Sequence, residues 1–185
     1  MSAPAPPPPP GPPGAPPPPG GAKPMSYKEK QEAEKKAMED KYSADANFAT
    51  QPGHALSAEE SYVIDKKGTE QAGTGTYNKF YPGQGYFACR KCGSPIYSAQ
   101  AKFDSGCGWP AFDKCYTGSI KMRREEDGRV EIMCMCGAHL GHVFEGEGFT
   151  AENQRHCANS RSLQYIKAKP AAALTETKLD TASAL

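Results

Sequence analysis

The chain lacks the features that would place it in several large classes. Charge of one sign is missing: 22 Lys and Arg stand against 21 Asp and Glu, so no net field draws a polyanion. The one concentrated basic run, Lys121-Met122-Arg123-Arg124, is answered at once by Glu125, Glu126 and Asp127. It reads as a solvated hairpin, and a nucleic-acid partner is not expected. No apolar stretch approaches the roughly 18 residues of a membrane span, so no membrane partner is expected either. The N-terminal stretch has no hydrophobic core of a secretory signal and is not rich in Arg and Ser, so the expected compartment is the cytoplasm. Tryptophan occurs once, at Trp109. Cysteine is present seven times, an odd number that argues against a disulfide framework and for metal or catalytic use.

What is present falls into four stretches. Residues 1–24 are mostly proline with Gly and Ala between. Proline fixes φ and offers no amide hydrogen, so a disordered polyproline II tail is expected, read either as a ligand for an SH3- or WW-type groove or, favoured because no basic residue lies within the proline run, as a low-complexity spacer. Residues 25–56 are a charged linker able to form a solvated helix but too poor in apolar residues to bury a face. The folded domain is expected over 57–168, opening on Ser57-Ala58-Glu59-Glu60 as the cap and acidic first turn of a short helix. Gly68 to Tyr86 suits turns and short β-pieces, and strands are expected over 87–92, 130–135, 142–144 and 162–166. The fold class is therefore mainly β, a small antiparallel domain, with residues 169–185 as a loose tail. A domain of this size leaves about a third of its chain surface unburied, so a metal clip would help it.

The sequence holds a candidate clip. Cys89-Arg90-Lys91-Cys92 is a C-x-x-C followed by Gly93, a turn that aims two thiolates at one ion. Cys134-Met135-Cys136 is followed by Gly137. Two pairs give the four thiolates of a structural zinc site, but the second is C-x-C, and that spacing needs a different local backbone to reach one tetrahedral ion. The alternatives are that Cys134 is a buried strand residue, or that one pair is a dithiol redox centre.

Two cysteines stand apart. Cys107 lies in Gly106-Cys107-Gly108-Trp109-Pro110, and Cys157 lies in Arg155-His156-Cys157-Ala158-Asn159-Ser160. Between them comes His139-Leu140-Gly141-His142. Isolated thiols beside histidine and arginine suggest thiol redox chemistry. Taken singly, each has a duller reading: His139 and His142 as core histidines or further ligands, Trp109 as a core anchor, Cys157 as a buried structural thiol. Cys115 matches no motif and reads as a small packed hydrophobe.

The stretches 102–112, 137–144 and 155–160, in that order, resemble the three signature blocks of the type B methionine sulfoxide reductases. Lys67-Gly68-Thr69-Glu70 and Thr74-Gly75 resemble that family's opening segment, while Gln71-Ala72-Gly73 departs from it. The resemblance implies a two-sheet, tent-like fold, Cys157 as nucleophile and Cys107 as resolving thiol. It implies that Trp109, His139, His142, Arg155 and Asn159 shape the substrate pocket, and that Cys89 and Cys92, with Cys134 and Cys136 if one residue is deleted between them, hold zinc. It further implies reduction of the R epimer of methionine sulfoxide, protein-bound or free, in a protein-repair role under oxidative stress, with a thioredoxin-type reductant. The residues suit such chemistry: a thiolate attacks sulfur, a histidine supplies a proton to the sulfoxide oxygen, and a second thiol resolves the sulfenic acid. A non-catalytic zinc-stabilised binding module, or a thiol redox sensor, remains the competing expectation.

Overall fold

A computed structural model describes residues 55–170 and 172–184. The Pro-rich tail of 1–24, with the partner expected for it, and nearly all of the charged segment of 25–56 lie outside the described residues. The first element among the described residues is helix α1, Ala58–Ile64. Ser57 caps it reciprocally: Glu60 N donates to Ser57 Oγ at 3.2 Å, and Ser57 N donates to Glu60 Oε2 at 2.8 Å. The helix buries Val63 and Ile64, and its acidic residues reach outward, Glu60 to Arg90 and Asp65 to Lys91, each at 2.7 Å.

Eleven short strands follow among the described residues. They are β1 (Tyr86–Cys89), β2 (Pro95–Ser98), β3 (Lys102–Phe103), β4 (Ala111–Phe112), β5 (Cys115–Tyr116), β6 (Ile120–Arg124), β7 (Val130–Cys134), β8 (His139–Glu145), β9 (Gln154–Ala158), β10 (Leu163–Ile166) and β11 (Glu176–Thr177). Two main antiparallel sheets form, β10-β1-β2 and β3-β4-β9-β8-β7-β6, with β11-β5 as a small third ladder. The expected mainly β, two-sheet domain with a short N-terminal helix is what the chain adopts. Among the described residues no helix is long and apolar enough to cross a membrane.

The core is largely aromatic. Phe87 from the first sheet meets Phe112 from the second edge-on, with centroids 5.1 Å apart, and Tyr97 lies flat against Phe112 at 4.0 Å. Phe87, Tyr97 and Phe112 are fully buried, as are Ile96, Ile132 and Leu140. Burial of each such side chain contributes about 1.5–3 kcal/mol, so these contacts hold the sheets together.

Two stretches differ from the sequence expectation. Residues 68–85 form turns and no strand. Their amides are taken by turn and loop carbonyls, such as Gly73 N on Gly108 O, and by two side chains: Glu70 N donates to Asn159 Oδ1, and Tyr77 N donates to Ser160 Oγ. The residues after 168, read from composition as a loose tail, carry β11 and a turn against the domain. Gln154 receives them like a backbone partner, donating to Leu179 O at 2.7 Å and accepting from Leu179 N at 2.8 Å, and Leu179 is buried.

Candidate active site and thiolate cluster

The register of the large sheet builds one row of side chains across all six strands. Phe103 lies opposite Ala111, Ala111 opposite Cys157, Cys157 opposite His142, His142 opposite Glu131, and Glu131 opposite Arg123. Residues directly opposite in antiparallel strands share a face, so Cys157 sits mid-row with an aromatic at one end and charges at the other. Along β9 burial alternates: Gln154, His156 and Ala158 point inward, while Arg155 and Cys157 are half-buried on the outer face. Gly141 allows the strands to approach here. A Cβ on it would lie 1.9 Å from the carbonyl oxygen of Cys157, which no side chain permits.

Cys107 reaches the same spot from the turn before β4. Its Sγ lies 3.6 Å from Cys157 Sγ, although 50 residues separate them. At that distance either thiol can donate to the other. Cys107 is the more readily ionised, drawn down to about 5 first by the Cys157 thiol, then by Ser105, the Trp109 backbone and Arg155, against the effect of burial. Cys157 is pushed up, first by its hydrogen bond to Cys107, then by burial and by the charge on Cys107. Arg155 pulls Cys157 the other way. That guanidinium is held by two hydrogen bonds from Nε and Nη2 to Glu147, at 2.7 and 2.8 Å, and lies 4.4 Å over the Phe144 ring.

Both histidines of the central block lie on β8, where His142 is directly opposite Cys157. His142 donates through Nε2 to Glu125 at 2.9 Å, and His139 donates through Nδ1 to Glu131 at 2.8 Å. The rings stand edge to face, 5.7 Å apart. His139 is buried and its pKa lies below the usual imidazole value, because burial outweighs the nearby Glu131 carboxylate. His156, behind Cys157, is pushed down to about 3 by burial and is neutral, its Nε2 on Gln154 and its Nδ1 unpartnered.

Trp109 is half-buried, and its indole N–H donates to Glu70 O at 3.0 Å. Asn159 is buried, with Oδ1 accepting from Glu70 N and Nδ2 donating to Leu140 O, which leaves one amide hydrogen. Both therefore meet at Glu70, which sequence reasoning placed in the opening segment without a role. The Glu70 carboxylate accepts from Ser160 N at 2.6 Å and Arg161 N at 3.1 Å, capping the turn that follows Asn159. Glu131 was missed altogether; a lone acid inside the apolar run Val130-Glu131-Ile132-Met133 was its only signal.

The second sulfur cluster is separate. Cys89, Cys92, Cys134 and Cys136 have all four Sγ within 4.8 Å of one another, with Cys89–Cys136 at 3.8 Å and Cys92–Cys134 at 3.6 Å. A tetrahedral ion bonded to sulfur at about 2.3 Å sets its ligands about 3.8 Å apart, so the four thiols fit a metal ion. The C-x-C spacing closes because the turn is tight: Gly137 N donates to Cys134 O at 2.8 Å, Cys134 N to Ala138 O at 2.9 Å, and Gly137 takes φ +92°. The first knuckle does the same, with Gly93 N on Cys89 O and Cys89 N on Ser94 O, both 2.8 Å. One knuckle ends β1 and the other ends β7, so an ion here would tie the two main sheets.

A cleft of about 420 Å³ lies elsewhere, lined by Ser57, Glu60, Tyr77, Arg90, Arg161 and others. It contains neither Cys107 nor Cys157, so the sulfurs and not the cleft mark the chemistry.

Two apposed thiols lie on a sheet face that also carries a carboxylate-paired imidazole, and the chain is similar to a family of oxidoreductases. The SelR domain family matches residues 56–167, and the chain belongs to that family. It is 53% identical over 116 residues to "Peptide methionine sulfoxide reductase B5" of Oryza sativa subsp. japonica, covering 61% of this chain and 85% of the relative. It is 50% identical over 118 residues to "Peptide methionine sulfoxide reductase B2, chloroplastic" of Arabidopsis thaliana, covering 62% of this chain and 58% of that protein. Against "Peptide methionine sulfoxide reductase B5" of Arabidopsis thaliana it is 48% identical over 117 residues, covering 62% and 84%.

Proposed function

We propose that the protein reduces the R epimer of methionine sulfoxide, in oxidised proteins or free, with Cys157 as nucleophile and Cys107 as resolving thiol. The observation that carries this reading is the 3.6 Å contact between those sulfurs on an open sheet face, inside a chain of the SelR domain family.

The chemistry balances with these groups. The reduced pair holds one proton between two sulfurs. Entry of a sulfoxide lets that proton pass to Cys107 as Cys157 attacks as thiolate, a form that Arg155 favours. The Cys157 sulfur takes the oxygen, becoming a sulfenic acid, while the sulfoxide sulfur leaves as the thioether. His139 or His142 supplies the proton that the oxygen needs as the S–O bond breaks. Cys107 then attacks the sulfenic acid, water departs, and a Cys107–Cys157 disulfide forms. A thioredoxin-type dithiol reduces it by exchange and is itself oxidised. Trp109, fixed by its bond to Glu70, offers an apolar face to the methyl group. Asn159 keeps one N–H for the substrate while its other bonds hold the loops.

The four-thiolate cluster would hold zinc, through Cys89, Cys92, Cys134 and Cys136, and zinc there supplies cross-linking of the sheets. The test is reduction of separated R and S methionine sulfoxide peptides by dithiothreitol, with Cys157→Ser as control. Turnover of R alone, lost in the variant, supports the reading. A folded, metal-loaded protein that reduces neither epimer would leave a zinc-stabilised binding module or redox sensor instead.

A further inference from the structure

Glu131 is a fully buried carboxylate near the site, with no exposed surface, on strand β7. Such a group is retained in its charged form only where it is paired and hydrogen-bonded. It has three partners from three elements. His139 on β8 donates through Nδ1 at 2.8 Å, Lys67, after α1, donates through Nζ at 3.0 Å, and Arg123 on β6 forms an ion pair, its Nη2 2.8 Å from Oε2. Lys67 takes a left-handed φ of +59°, uncommon for a side-chain-bearing residue, as it makes this contact.

The two cations alone would balance Glu131, so the imidazole is an addition with its own consequence. A carboxylate on Nδ1 decides which nitrogen carries the proton, leaving Nε2 as the nitrogen that can take one up or give one away. Among the described residues Nε2 of His139 has no hydrogen-bond partner, whereas Nε2 of His142 is tied to Glu125. We infer that Glu131 is a positioning residue for the reaction: it fixes His139 with the hydrogen on Nδ1, and it stabilises the imidazolium formed when Nε2 holds the proton destined for the reacting oxygen. The assignment favours His139 over His142 as proton carrier, and it rests on the reductase reading above.

The charged groups around His139 are Glu131, Lys67, Arg123 and the His142–Glu125 pair. Glu131 raises the proton affinity of His139, while burial and the charges of His142 and Lys67 lower it. Replacement of the carboxylate removes the raising influence, so the protonated ring is lost at lower pH. In single turnover of the R sulfoxide by the full chain, Glu131→Gln is expected to move the alkaline fall of the rate to lower pH. The rate near neutrality is expected to drop at least about tenfold, within what a positioned proton donor supplies. In a His139→Gln background, E131Q is expected to add little. An equal added loss there, or an unmoved profile in an active E131Q protein, overturns the inference while leaving the reductase reading intact. A wild type that reduces neither epimer removes both. Should E131Q fail to fold, nitrogen NMR of the wild-type imidazole decides: hydrogen on Nδ1 of His139 is expected at neutral pH, and hydrogen on Nε2 overturns the assignment.

Discussion

Two sulfur clusters, built from the same side chain at nearly the same spacing, are arranged for different chemistry in this molecule. Cys89–Cys136 and Cys92–Cys134 lie 3.8 and 3.6 Å apart, and Cys107–Cys157 lies 3.6 Å apart. In the first cluster four thiols converge from two glycine-closed knuckles at the ends of β1 and β7. Four sulfurs around one point suit an ion, and an ion withdraws them from redox chemistry. In the second, one thiol comes from mid-strand and one from a turn, and both are half-buried. Two sulfurs alone can share a proton, then a bond. What separates the clusters is the count of sulfurs, the rigidity of their turns and the neighbours, Arg155 and two histidines on one side, sheet ends on the other.

Substitutions at each cluster should separate these roles. The largest effect is expected from Cys157→Ser, which should abolish turnover while leaving unfolding temperature and metal content unchanged. Next comes Cys134→Ser, or treatment of the wild type with a strong chelator. Either should lower stability by on the order of 3–5 kcal/mol or more, given what structural zinc contributes to small domains. Retention of full stability in metal-free protein would end the distinction drawn above. Gly141→Ala touches no reacting group, yet its Cβ would meet Cys157 O at 1.9 Å. A loss of about 2–4 kcal/mol in denaturant unfolding, with loss of activity, is expected from the forced separation of β8 and β9.

Cys107→Ser should permit one turnover and block recycling through the disulfide. It should also lower the pKa of Cys157, since the hydrogen bond and charge of Cys107 are what raise it most, with burial. Alkylation rate against pH reads this directly, and an unmoved midpoint would contradict the shared proton. The smallest effect is expected from Tyr97→Phe. Among the described residues the Tyr97 hydroxyl is buried without a partner, so its removal should leave stability within about 1 kcal/mol of the wild type, or slightly above it.

Local features were legible in the sequence. The Ser57–Glu60 cap, the thiol pairs and the ordered motif blocks are written in adjacent residues, and each sits where its neighbours imply. Features that depend on register were not. Glu131 belongs to the site only because β7 places it opposite His142, and nothing within five residues of it says so. Glu70 acquires its role from Ser160 and Arg161, some 90 residues away. The two-residue strands β3, β4, β5 and β11 are too short for any period to register. The docking of residues 175–181 rests on the β11–β5 pairing, on buried Leu179 and on the side chain of Gln154, signals that composition cannot carry. The closure of the C-x-C pair depended on the turn at Gly137, which spacing alone leaves open.

The central claim is that the Cys107–Cys157 pair, and no other sulfur, carries the oxidising equivalent of the substrate. Its most direct measurement adds one equivalent of an R methionine sulfoxide peptide to the reduced full chain without external reductant, then counts methionine formed and maps disulfides by mass spectrometry. One methionine per protein, with a single disulfide between Cys107 and Cys157, is the expected result. Methionine formed with a disulfide through Cys115 or the four-thiol cluster, or no methionine from folded protein, would contradict it.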